Sequence, residues 1–193
     1  MAQQIGPGRH MDPVDLIKKY YPSGSIAYDI LVEHSRLVAG KSLEIARQVG
    51  HLRPDLAFVE EAAMLHDIGI YLTHEPKLGC FGEREYICHG YLGRALLEKE
   101  GLPRHALVCE RHVGVGLSVA DIDMQKLPLP KRNMLPVSLE EKIICFADKF
   151  FSKRVESLRI EKTVEEVRQD IQKYGRDKLE RFDEMLRLFS DAG

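Results

Sequence analysis

Residues 62–69 read Ala-Ala-Met-Leu-His-Asp-Ile-Gly, an adjacent His66-Asp67 pair set in an apolar helical stretch that stops at Gly69. An ionised aspartate is costly to bury unless it is paired or holds a metal. Any fold that packs this stretch must therefore bring partners to Asp67. Candidates are spread along the chain. His34 shares a helical face with Ile30 and Val38, one turn away on either side. His89 lies on the face of Leu92, Gly93 and Leu96, and His112 on that of Val108 and Cys109. Asp148 sits with Ile144, Cys145 and Phe151. One inward histidine is ordinarily a satisfied core residue, and one inward aspartate is a cap or half of an ion pair. Four histidines and two aspartates, each on the apolar face of its own helix, point instead to a shared metal centre. Imidazole suits Fe, Zn, Mn and Ni, while carboxylate suits Mn, Mg and Fe. The mixed set offers neutral donors for affinity and negative charge to offset divalent ions.

The punctuation of the chain predicts helices throughout. Asp12-Pro13 opens a short one, closed by Tyr21-Pro22-Ser23-Gly24. A long helix is expected from about Ser25 to Gly50, with Ile30, Val38, Ile45 and Val49 at helical spacing. Pro54 starts another, ending near Gly69, and a loop carrying His74, Glu75 and Pro76 follows. A helix fits Glu83 to Glu100, and Pro103 starts the next, broken at Gly114 and Gly116. Leu127 to Val137, with three prolines, reads as a loop. Ser138 and Glu141 have capping-box spacing and predict a helix toward Ile160; Thr163 and Glu166 repeat it and start a last charged helix to about Phe189. No segment reads as a convincing strand. The expectation is an all-α fold, a single compact bundle over 12–193 with an additional C-terminal helix. Residues 1–11 read as a tail, and MAQQIGPGRH at its start resembles the remnant of an expression tag, so His10 is left out of the argument.

With 193 residues, one domain has room for a real core. A net charge of −2 supplies no global field for long nucleic acid. The apolar runs are short and interrupted by charge, which argues against a membrane span. The four cysteines form no CxxC pair, and with no apolar leader they read as reduced thiols of a cytoplasmic protein.

The order His34, then His66-Asp67, then Asp148 resembles the HD superfamily of metal-dependent phosphohydrolases. Ala63-Met64-Leu65-His66-Asp67-Ile68-Gly69 is similar to the HDIG stretch of that family, and Ala147-Asp148-Lys149 to the element carrying its last ligand. The resemblance runs from about Ser25 to Val155. It implies an HD-type helical bundle and a metal site of His34, His66, Asp67 and Asp148. The extra His89 and His112 resemble the dinuclear branches, which implies that Asp67 bridges two ions and that His89 and His112 hold the second. His89-Gly90-Tyr91-Leu92-Gly93, with Arg154 six residues after Asp148, is similar to the dinucleoside-tetraphosphate hydrolase branch. Two departures stand out: Ile70 occupies the place where many members carry lysine, and no GYP motif is present.

The resemblance implies hydrolysis of a phosphate ester or anhydride, in a small molecule of nucleotide type, by a metal-activated hydroxide. Two divalent ions per chain are expected, Fe or Mn first, with Zn, Co, Ni or Mg also compatible. Charge developing on the phosphoryl oxygens needs cations nearby; Arg111, Lys149 and Arg154 are the candidates, with Arg94 and Lys77 behind them. His74 is the candidate general acid. His105 reads as an orienting neighbour of a ligand or an exposed residue, and His51 as a helix cap. The same ligands would also serve a diiron oxygenase or a metal-loaded nucleotide-binding module. The expected partner is a small phosphorylated molecule, with neither long nucleic acid nor membrane. The charged last helix leaves open a lid, a homodimer element or, in the ordinary case, a cover for the core.

Overall fold

The computed structural model describes residues 12–190; the expected tail at 1–11 lies outside them. Among these residues are nine α-helices and one two-stranded ribbon. Helix α1 spans Pro13–Tyr20, and the Asp12 carboxylate accepts from Val14 N at 2.8 Å. Helix α2, Ile26–Gln48, is capped by Ser25, and α3, Leu56–Leu65, by Asp55. Next come the antiparallel pair β1 (His74–Glu75) and β2 (Cys80–Phe81), with His74 opposite Phe81. The remaining helices are α4 (His89–Lys99), α5 (Pro103–Arg111), α6 (Val119–Met124), α7 (Leu139–Asp148), α8 (Val164–Gln172) and α9 (Arg176–Ser190).

Helix α2 runs through the middle of the bundle, against α3 on one side and α7 on another, while α4 and α5 pack as a pair. The main core gathers Ile17, Val38, Ala46, Val59, Leu97 and Ile144 from five helices. The C-terminal helix covers this core: Phe182 stacks on Phe146 at 4.8 Å between ring centroids, and Phe189 meets it edge-on at 5.2 Å. A second, smaller cluster of Val113, Leu117, Ile122 and Met134 lies apart from it. No helix among the described residues is long and apolar enough to cross a membrane.

The fold is the all-helical bundle expected, with instructive departures. Helix α3 stops at Leu65 rather than near Gly69, and a 3-10 turn, Ile68–Leu72, follows the His66-Asp67 pair. The cause is a close approach of backbones. A Cβ on Gly69 would lie 2.2 Å from the His89 carbonyl oxygen, and one on Gly93 would lie 2.3 Å from Cys109 Sγ. Glycines thus seat the turn on α4, and α4 on α5. Residues before His89 do not join α4, because Arg84 donates to Leu72 O and accepts from His74 N in the ribbon. Helix α6 was not foreseen, although Ser118 and Asp121 form a full capping box. Helix α7 ends at Asp148 rather than continuing toward Ile160. Just beyond it the Ser152 hydroxyl accepts from Arg154 N at 3.1 Å, a local bond that competes with helical pairing. The last helical stretch is split at Gly175, whose φ of +127° no side-chain-bearing residue adopts readily.

Candidate metal centre

The six expected ligands come from five places in the bundle. His34 sits midway along α2, His66 caps the C-terminus of α3 and Asp67 follows it. His89 begins α4, His112 caps the end of α5 and Asp148 ends α7. All six are buried, four of them at 2% exposure or less. They converge on Asp67. Its Oδ2 lies 3.3 Å from His34 Nε2 and 3.0 Å from His66 Nε2, while its Oδ1 lies 3.3 Å from both His89 Nε2 and His112 Nε2. Asp148 Oδ1 closes the first half, 3.0 Å from His34 Nε2 and 3.4 Å from His66 Nε2. The donors form two sets that share Asp67: His34, His66, Asp67 and Asp148, and then Asp67, His89 and His112.

The hydrogen bonds behind the rings show which nitrogens are offered. His66 Nδ1 donates to Ala63 O at 2.6 Å, His89 Nδ1 to Tyr86 O at 2.6 Å and His112 Nδ1 to Cys109 O at 2.8 Å. A carbonyl only accepts, so each Nδ1 carries the hydrogen and each Nε2 points inward. The Nε2 atoms of His89 and His112 are 3.2 Å apart. In the neutral rings these are two facing lone pairs, an arrangement that calls for a cation between them. His66 Nε2 and both oxygens of Asp67 are likewise buried without a well-directed hydrogen bond. Orphaned acceptors, fixed tautomers and a bridging carboxylate fit a pair of divalent ions.

The electrostatics of the two halves differ. Burial alone would raise the Asp67 carboxyl, but His66 and Lys153 hold it well below the usual range. Burial likewise opposes ionisation of Asp148, and Lys149 and Lys153 overcome it. Burial depresses His66, yet Asp67 and Asp148 outweigh it and raise its pKa to about 9. Burial lowers His89 to about 3, a shift that the neighbouring His112 and Lys153 reinforce and Asp67 only partly opposes. One half is thus anionic and holds protons until a metal displaces them; the other is a pair of neutral imidazoles.

The expected auxiliary residues divide. Lys149 reaches the centre, its Nζ 2.6 Å from Asp148 Oδ2 and 3.1 Å from His112 O. Arg111, expected to contact phosphate, is turned to Glu141, one of its terminal nitrogens donating to both carboxylate oxygens at 3.0 and 2.9 Å, and ties α5 to α7. Arg154 lines a different hollow, with Lys77 and Glu75. His74 is exposed on the ribbon and lines neither hollow. Arg94 pairs with Glu98 and Glu110, and Ile70 is buried in the main core. His105 packs on Phe58 beside Glu61, away from the six ligands, and His51 is exposed in the turn after α2.

Two residues of the centre were missed. Lys153 Nζ lies 2.6 Å from Asp67 Oδ2 and 3.8 Å from Asp148 Oδ1. The Tyr86 ring packs on His89 at 4.7 Å, and Tyr86 lines the same cavity as Lys153. On a helix continuing past Asp148, Lys153 would fall well off the Asp148 face; only the break after α7 turns it inward. Helical reasoning therefore could not find it, although a lysine five residues after Asp148 was visible. From the centre a cavity of about 430 Å³ opens toward α8, with Lys149 and Lys153 beside the ligands.

Comparison with known proteins agrees with this geometry. The HD domain family matches residues 31–152, which hold all six expected ligands. An uncharacterized protein of Methanocaldococcus jannaschii is 34% identical over 131 residues, covering 65% of this chain and 70% of that protein. A tRNA (cytidine(56)-2'-O)-methyltransferase of Thermoplasma volcanium is 30% identical over 140 residues, and one of Picrophilus torridus is 30% identical over 128. These matches cover 72% and 65% of this chain, but only 35% and 33% of the methyltransferases. No solved structure matches. With the signature histidines and aspartates brought to one buried centre and the family match running across most of the bundle, the chain belongs to the HD domain family, within the superfamily of metal-dependent phosphohydrolases.

Proposed function

We propose that the protein is a dinuclear metal-dependent phosphohydrolase acting on a small phosphate ester or anhydride of nucleotide type. The observation that carries this reading is Asp67, each of whose oxygens faces its own set of nitrogen donors. His34, His66 and Asp148 would hold one ion and His89 and His112 the other, with Asp67 between them. Two bound divalent ions would polarise a phosphoryl oxygen and acidify a water.

The chain supplies the rest. Lys149 and Lys153 line the cavity next to the ligands and would bind the phosphoryl oxygens as charge builds on them. Tyr86 lines the cavity with Lys153 and packs on His89. The buried faces of α2, α3 and α7 exclude water behind the ligands, which keeps these charges effective. Within this reading, the four free, buried cysteines accord with a reducing cytoplasmic setting.

The test is elemental analysis of protein purified without chelator, followed by phosphate release from a nucleotide panel under air and under nitrogen. Nearly two ions per chain and metal-dependent release in both atmospheres are expected. Turnover that needs ferrous iron and oxygen would mean an oxygenase, and tight nucleotide binding without turnover would mean a binding module.

A further inference from the structure

The cavity has two chemically distinct ends. At the metal centre stand Lys149 and Lys153 among the ligands. Away from it, the cavity follows the seam where the two hydrophobic clusters fail to merge. Val113 and Leu117 of the smaller cluster, with Leu127 packed on it, line this seam together with Val167 and Ile171 of the main core and Phe151. Apolar side chains of both clusters thus border one open space.

The charged groups at that end already have partners, and Tyr174 is largely exposed. Lys162 pairs with Asp170 at 2.8 Å, and Lys178 bonds Asp121. Gly116 O accepts from Arg181 at 3.1 Å, and Leu117 N donates to Met134 O at 3.1 Å. Gln125 stands exposed at the mouth. A ligand group rich in hydroxyls would lose its water there and find little in exchange. A flat ring would fill the seam at no such cost.

We infer that the seam between the Val113–Leu127 segment and helix α8 is a binding subsite for a planar, apolar ring carried by the phosphorylated substrate. It rests on the phosphohydrolase reading only in placing the phosphate at Lys149 and Lys153. Helix α8 is then a specificity wall as well as a cover for the core.

Calorimetry on the full-length protein loaded with Mn²⁺ tests this with two probes that cannot be hydrolysed, 1-naphthylphosphonate and methylphosphonate. The naphthyl compound should bind at least tenfold more tightly. That preference should shrink to less than threefold in Leu127→Asn, whose side chain is half-buried, and in Ile171→Thr should the first variant fold poorly. Equal affinities for the two probes, or a preference untouched in folded variants, would overturn the subsite. Turnover of 1-naphthyl phosphate is read separately: its absence counts against hydrolysis, while the affinity ratio still decides the subsite.

Discussion

Lys153 Nζ stands 2.6 Å from Asp67 Oδ2, inside the half of the centre that His34, His66 and Asp148 complete. An ammonium and a divalent ion compete for that carboxylate. Without metal the lysine neutralises a buried negative charge; with metal it must withdraw toward the cavity. Lys153→Met should therefore bind the first Mn²⁺ about tenfold more tightly, about 1.4 kcal/mol, by calorimetry. An unchanged affinity would show that the lysine yields its place without cost.

Asp67 is the joint between the two donor sets, and no neighbouring group can replace it. Asp67→Ala should lose most bound metal and lower turnover by more than a hundredfold, as read by elemental analysis and phosphate release. Circular dichroism would check that the helices remain. Full metal and full activity in that variant would sink the dinuclear assignment.

The glycine contacts that seat the Asp67 turn give a stability prediction with an internal control. A Cβ at Gly93 would strike Cys109 Sγ at 2.3 Å in a packed core, whereas one at Gly40, on the exposed side of α2, meets nothing within 4 Å. Gly93→Ala should cost about 1–3 kcal/mol in urea unfolding. Gly40→Ala should stabilise by about 0.5–1 kcal/mol, since alanine loses less freedom in a helix. Equal effects at the two sites would contradict the close approach of α4 and α5.

Asp121 joins α6 to α9 through Lys178 and Arg181. Its burial favours the neutral acid, but Lys178, Ser118 N–H and Arg181 hold its pKa below the ordinary 3.8. A carboxyl depressed by folding contributes stability that is present above 3.8 and lost as pH falls through the folded value. Asp121→Asn should cost about 1–3 kcal/mol at neutral pH, since it leaves the buried Lys178 ammonium with Asp177 alone as its charged partner. The difference from the parent should begin to shrink as acid unfolding is read below about pH 4 and go on narrowing as the pH falls further. A gap independent of pH would mean the contact matters only for packing.

The sequence alone determined the class of fold and singled out the six candidate ligands. Helical spacing placed His34, His89, His112 and Asp148 on inward faces, and local rules suffice for that because periodicity and caps act within a few residues. They fixed the starts at Asp12, Ser25, Ser138 and Thr163. They failed where long-range contacts overrode propensity: at the turn after Asp67, pulled onto α4 by Gly69 and Gly93, and at the end of α7. Only the tertiary structure decided which oxygen of Asp67 faces which histidines. It also turned Lys153 inward while Arg111 was claimed by Glu141, and left an open seam between two apolar clusters. Each of these depends on the relative placement of segments far apart in the chain, and residue spacing carries no information about that distance.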